Sequence, residues 1–159
     1  LAWLDTAHGW SVDGGHADMA SWVMRVRSYY FLSSGDLRRA LRTAEAARST
    51  GGTSPAARAV ASHQAAMAAA ALGERSRAKT LRDEALGLAL EVPGEAERPG
   101  WLYWLDSARA RAQAAEASYA CRDWAEAAAG LRDALPGLEA YPRDYAYYAE
   151  RLADAERRT

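Results

Sequence analysis

The opening of the chain, LDTAHGWSVDGGHAD, gathers Asp5, His8, Asp13, His16 and Asp18. Imidazole and carboxylate are competent ligands for zinc and similar ions, so this is the first place to look for a metal. The spacing matches no known ligand pattern, and the segment spans a helix end and a glycine loop. Helix capping by Asp13 or Asp18 is a sufficient reason for the carboxylates, and no metal is expected. The single cysteine, Cys121, stands beside Arg122, whose guanidinium could lower a thiol pKa. No histidine is near in sequence to complete a nucleophile pair, so Cys121 reads as a small packing residue. Asp83 and Glu84 sit among arginines and read as a solvated helix face. A phosphate loop, a dinucleotide fingerprint and HExxH are all absent. Nothing here asks for catalysis or a cofactor, and the chain does not read as an enzyme.

The stretch RPGWLYWLDSARARAQA, from Arg98 to Ala114, is the other chemically conspicuous segment. Trp101, Trp104, Leu105, Ala108, Ala112 and Ala115 recur at intervals of three and four. That spacing predicts a buried stripe on a helix covering about 101–121. Asp106 falls in its first turns, within reach of a salt bridge to Arg109. An aromatic ligand cage is the competing reading, because three large rings close together exceed what one helix needs.

These residues need a scaffold, and the composition says which kind. The chain has 159 residues, of which 50% are hydrophobic and 26% charged, which suits one domain over 1–159. About a quarter of the chain is alanine, and Lys79 is the sole lysine. Arginine-rich, lysine-poor usage points to a GC-rich bacterial genome and carries no mechanism. A net charge of -1 gives no general attraction to nucleic acid or an anionic membrane. The local basic runs RVR and DLRRALR carry interspersed acids and read as solvated faces. One cysteine excludes an internal disulfide, which fits a cytoplasmic location. The run AAMAAAAL is too short and too weakly apolar to cross a bilayer, and no secretory leader is visible. Leu1 is not an initiator, and LAWLDTAHGW already reads as the end of an amphipathic helix, so the chain reads as part of a longer one.

A break followed by one helix signature occurs three times: SSGDLRRALRTAEAA, ALGERSRAKTLRDEA and ACRDWAEAAAGLRDA. Aligned on Gly35, Gly73 and Arg122, each places alanine five residues on (Ala40, Ala78, Ala127) and again seven later (Ala47, Ala85, Ala134). Small residues stand twelve before the first alanine: Ser28, Ala66 and Ala115. Such offsets let two antiparallel helices approach closely and the next pair stack on them. Gly35 and Gly73 suit the left-handed position that ends a helix, and Asp36 and Glu74 put charge at the start of the next. The predicted helices cover about 1–8, 16–33, 36–49, 55–72, 75–91, 101–121, 123–139 with an interruption at LPG, and 143–157. GWSVDGG is read as a loop. No segment alternates with period two, so a sheet is not expected.

This pattern resembles the tetratricopeptide repeat (TPR), with repeats at about 16–50, 54–91 and 101–139. The resemblance implies an all-α fold of seven to eight helices, stacked in antiparallel pairs into a right-handed solenoid. The turns stand about 38 and 49 residues apart, longer than the family's roughly 34, and Arg27 and Ala65 take places where that family has a large apolar residue. The segments WLYWLDSARARAQAAEASY and RDYAYYAERLADA resemble the repeat region of actinobacterial helix-turn-helix transcriptional regulators. Such a region is taken to receive a signal or a protein partner, with DNA bound by a separate N-terminal domain. No DNA-reading unit is recognisable in this chain, so no nucleic-acid contact is expected from it.

The family's groove offsets fall on Trp22, Arg25 and Tyr29, on His63 and Met67, and on Arg109 and Glu116. Trp22, Arg25 and Tyr29 share a helical face, where an arginine between aromatics could clasp a carboxylate or phosphate. The plainer alternative has Trp22 and Tyr29 filling core, Arg25 solvated and Met67 packing. The expected function is protein or peptide binding, as the signal-receiving part of a bacterial regulator. The alternative is a structural assembly or dimerisation module, using aromatics at Trp3, Trp10, Tyr145, Tyr147 and Tyr148. The insertion EVPGEAERPG is long enough to fold over the groove.

Overall fold

The computed structural model describes residues 2–91 and 98–159. Among them the chain forms eight α-helices and no strand, so the fold is all-α. They are α1 (Ala2–Asp13), α2 (Ala17–Ser33), α3 (Leu37–Arg48), α4 (Pro55–Ala71), α5 (Arg75–Leu90), α6 (Ser107–Ala120), α7 (Trp124–Ala134) and α8 (Pro142–Arg158). Short 3-10 stretches cover Gly100–Leu102 and Leu135–Leu138. Most of the insertion EVPGEAERPG, residues 92–97, lies outside the described residues.

One turn geometry recurs. After α2, the Gly35 N–H donates to Leu32 O and the Asp36 N–H to Phe31 O, with Gly35 at φ +83°. The Ala69–Glu74 and Ser118–Asp123 turns repeat both bonds. This arrangement satisfies carbonyls a helix end would otherwise leave bare, and it needs a left-handed residue. Gly73 supplies it at φ +81°, and Arg122 adopts it at φ 61° without being glycine. The same pair of bonds closes α1, from Gly15 to Val12 O and His16 to Ser11 O. That corrects the loop expected at GWSVDGG: the helix runs to Asp13, and only Gly14 and Gly15 turn.

The three alanine and small-residue registers are all buried. Ala40, Ala78 and Ala127 have no exposed surface, and neither do Ser28 and Ala66. Ser28 Oγ donates to Ala40 O at 2.8 Å, which joins two positions of one repeat register directly. Ser21 does the same to Ala47 O at 2.9 Å. On α6 and α7 the approach is closer still. A Cβ placed on Gly130 would stand 2.9 Å from that of Ala115.

Helix α4 starts at Ser54, whose side chain accepts from the Ala57 N–H, with Pro55 in its first turn. It is rich in alanine and buried on nearly all sides, because α2, α3, α5 and α6 all pack on it. Small side chains that lose little rotamer entropy suit such a central helix. Each helix touches its neighbours in sequence, and α2, α4, α6 and α8 also touch one another in turn. These four therefore contribute to one continuous face.

The largest difference from the expected elements is at Trp101–Asp106. A 3-10 turn opens the segment, and α6 begins only at Ser107. Asp106 caps that helix, its Oδ1 accepting the Arg109 backbone N–H at 2.7 Å. Leu102 and Leu105 are buried against Ala56 and Val60 of α4, and Trp22, Trp101 and Trp104 pack beside them. The apolar residues at 101–105 are thus packed by a tertiary contact, without the helical stripe that their spacing suggested.

Candidate functional site

The α2–α4–α6–α8 face carries the polar side chains of greatest interest. On α2, the Trp22 ring lies 5.0 Å from Trp101 and 6.2 Å from Trp104. The guanidinium of Arg25 is stacked 5.0 Å from the Trp22 ring centroid, a cation–π distance. Its Nε has no hydrogen-bond partner among the described residues. Burial lowers the Arg25 pKa from the ordinary arginine value, opposed by Tyr29 and by Glu116. Tyr29 is exposed and meets Tyr30 edge-on at 5.9 Å.

Glu116 of α6 is the hub. It is only 8% exposed, and three groups from two other helices surround its carboxylate. His63 Nε2 of α4, itself buried, lies 3.7 Å from Oε2. The Tyr147 hydroxyl of α8 donates to Oε1, and Arg151 Nε lies 3.5 Å from the same oxygen. Burial alone would raise the Glu116 pKa, but His63, Tyr147 and Arg151 outweigh it and hold the carboxyl below its usual value. Burial and the facing carboxylate push the Tyr147 phenol upward. The Arg151 guanidinium completes the cluster 3.7 Å from the Tyr147 ring centroid.

The residues expected along the groove therefore divide. Trp22 and Arg25 are brought together, and so are His63 and Glu116, with Arg25 close enough to feel the Glu116 charge. Arg109 stands apart, two turns earlier on α6. It pairs with Asp144 of α8 and lies 5.8 Å from the Trp104 ring and 5.6 Å from that of Tyr141. The salt bridge expected between Asp106 and Arg109 is replaced by that pairing, since Asp106 spends its side chain on capping. Met67 packs against the cluster of Phe31, Ala40 and Ala66 and is a core residue.

Sequence reasoning missed Tyr147 and Arg151 as parts of this face. Their four-residue spacing on α8 was the available signal, but only the fold shows that both point at Glu116. Of the aromatics proposed for assembly, Tyr148 is buried, while Trp3, Trp10, Tyr145 and Tyr147 are exposed.

Several of the remaining chemical candidates have structural partners. Asp5 pairs with Arg27 at 2.9 Å, and Asp18 accepts the Ser54 N–H at 2.6 Å. Neither Asp13, the last residue of α1, nor Asp18 caps a helix with its side chain as expected, and the cap position of α2 is His16. Among the described residues no three His, Cys, Asp or Glu side chains converge as a metal site would require. Cys121 is buried, and that burial raises its thiol pKa. Asp83 pairs with Arg82 and Glu84 with Arg48. No described helix is long and apolar enough to cross a membrane. Comparison with models of known protein families, with curated proteins and with solved structures finds no match to this chain.

Proposed function

We propose that the chain is a TPR-like domain that binds a protein or peptide along the α2–α4–α6–α8 face, as the signal-receiving part of a bacterial cytoplasmic regulator. The observation that carries this reading is the Glu116 cluster. One buried carboxylate ties α4, α6 and α8 together through His63, Tyr147 and Arg151. A ligand on this face touches groups from four alternate helices at once. Stacked helix pairs adjust their curvature by small rotations, so a ligand that prefers one curvature shifts the population. The repeat registers and recurring turns support the solenoid part of the reading. DNA binding would belong to a separate N-terminal domain.

Two tests bear on this. Backbone amide NMR during titration with peptide pools should move resonances of α2, α4, α6 and α8 together, leaving the outer faces of α3 and α5 still. Shifts scattered over the surface would refute the groove. The coding sequence upstream of Leu1 should encode a helix-turn-helix unit, and its absence would remove the regulator part.

The alternative of an assembly module is favoured by one observation. Trp3 and Trp10, seven residues apart on α1, are 61% and 74% exposed. Light scattering after size exclusion over a range of concentrations discriminates the readings. Growth in mass, abolished by replacing both tryptophans with serine, would favour assembly.

A further inference from the structure

The Glu116 carboxylate is shared between two helices, and its partners on the two sides differ in kind. On the α8 side, Oε1 accepts the Tyr147 hydroxyl and lies 3.5 Å from Arg151 Nε. A guanidinium keeps its charge at any ordinary pH, and the Tyr147 phenol is pushed upward and stays neutral. On the α4 side, His63 Nε2 stands 3.7 Å from Oε2. That is beyond hydrogen-bond length but within reach of an ion pair. A neutral imidazole at this distance holds the carboxylate weakly, and an imidazolium attracts it strongly. Histidine changes charge between about pH 5 and 8, and Glu116, held below its usual pKa, stays ionised there.

The packing around His63 leaves its charge little else to act on. The residue is 6% exposed, and the cavity beside it, about 10 Å³, holds one water at most. Of the helices packed on α4, α6 brings Glu116 and the neutral Gln113, and α5 brings Arg82 across that cavity. Arg82 is already engaged by Asp83 and Glu126. The neighbouring Ser62 turns to Glu84 of α5, which pairs with Arg48 of α3. On α2, the charges of Arg25 and Glu116 act on each other, and Tyr29 is exposed. We propose that His63 is a proton-operated latch, which on taking up a proton draws the Glu116 carboxylate toward α4 and loosens its hold on Tyr147 and Arg151 of α8. A carboxylate with two alternative partners is a bistable contact that one histidine charge can bias. As pH falls, α6 therefore tightens on α4 and slackens on α8. The latch lies in the fold itself and needs no ligand, so its failure would leave the groove reading standing.

The experiment is an NMR titration of the full chain between pH ~5 and ~8, with no ligand added. It follows the His63 ring, the Tyr147 ring, the Arg151 Nε–H and the backbone amides of α4, α6 and α8. His8 of α1 and His16, which precedes α2, are the reference imidazoles. The expected result is that the Tyr147 and Arg151 signals move with the midpoint of the His63 ring. In His63→Gln those α8 signals should stay flat over the whole range. In Glu116→Gln they should also stay flat, although the His63 ring still titrates. A His63 ring that does not titrate in this range would overturn the latch. So would α8 signals that stay silent while His63 titrates, or that follow pH equally in His63→Gln. Should a variant lose its fold, the comparison of midpoints in the unaltered chain decides alone.

Discussion

Glycine inside a helix costs about 0.8–1 kcal/mol relative to alanine, so replacing it normally stabilises. At Gly130 of α7 the sign should reverse. A new Cβ there falls 2.9 Å from Ala115 Cβ on α6, whereas carbon atoms pack best at about 3.5–4.0 Å. The opposing group is a methyl fixed to a helix backbone and cannot rotate away, so the two helices must separate by several tenths of an ångström. Overpacking of this kind costs about 1–3 kcal/mol. Subtracting the propensity gain leaves Gly130→Ala destabilising by about 1 kcal/mol, a fall in Tm of about 2–4 °C at this chain length. Gly87 of α5 is the control, because a Cβ there meets nothing within 4 Å. Gly87→Ala should raise Tm by about the same amount.

Thermal unfolding followed by circular dichroism measures both. The contact itself is isolated by the double variant Gly130→Ala with Ala115→Gly, whose cycle should show a favourable coupling of about 1 kcal/mol or more. If Gly130→Ala is as stabilising as Gly87→Ala, or if the coupling is zero, the close approach of α6 and α7 is not what the glycine is for.

The Glu116 carboxyl is held below its usual pKa, so its contribution to stability is complete above the unfolded value, about 4.3, and is lost as pH falls through the lower folded value. Glu116→Gln should lower Tm at neutral pH and flatten its decline between pH ~5 and ~3; parallel Tm-against-pH curves for the two proteins would count against the cluster. Arg122 holds a left-handed backbone at φ 61°, a conformation costing about 1–2 kcal/mol for a residue with a Cβ, so Arg122→Gly should stabilise by about 1 kcal/mol or less after the entropy of the unfolded glycine is counted. The converse change, Gly73→Ala, meets no steric contact and should destabilise through the backbone alone, by about 1–2 kcal/mol in a chemical denaturation. Asp106→Ala removes the side-chain cap of α6 and should cost about 1 kcal/mol in the same assay.

The repeat was legible because its signal is local and steric. A close helix–helix approach demands small residues at fixed offsets, and Ala40, Ala78, Ala127, Ser28 and Ala66 all proved fully buried. The turn at Arg122 was less legible, since the third copy replaces the glycine that marks the left-handed position, and only the fold shows Arg122 at φ 61°. Where the reading departed from the fold, the deciding interaction joined residues far apart in sequence. Trp101 and Trp104 have helical spacing, yet they are packed on Trp22, about eighty positions earlier, and Asp106 is free to cap because Arg109 is engaged by Asp144. The site divides along the same line. Trp22 and Arg25 were nameable together because they lie one turn apart on one helix. Tyr147 and Arg151 were not linked to Glu116, because nothing within α8 reveals a buried carboxylate on α6. Short-range offsets write the helix–helix approaches, while the α2–α4–α6–α8 face is assembled from helices far apart in sequence. For that reason the meeting of His63, Tyr147 and Arg151 at Glu116, made across three helices, is a feature of this face that the folded chain discloses and the sequence does not.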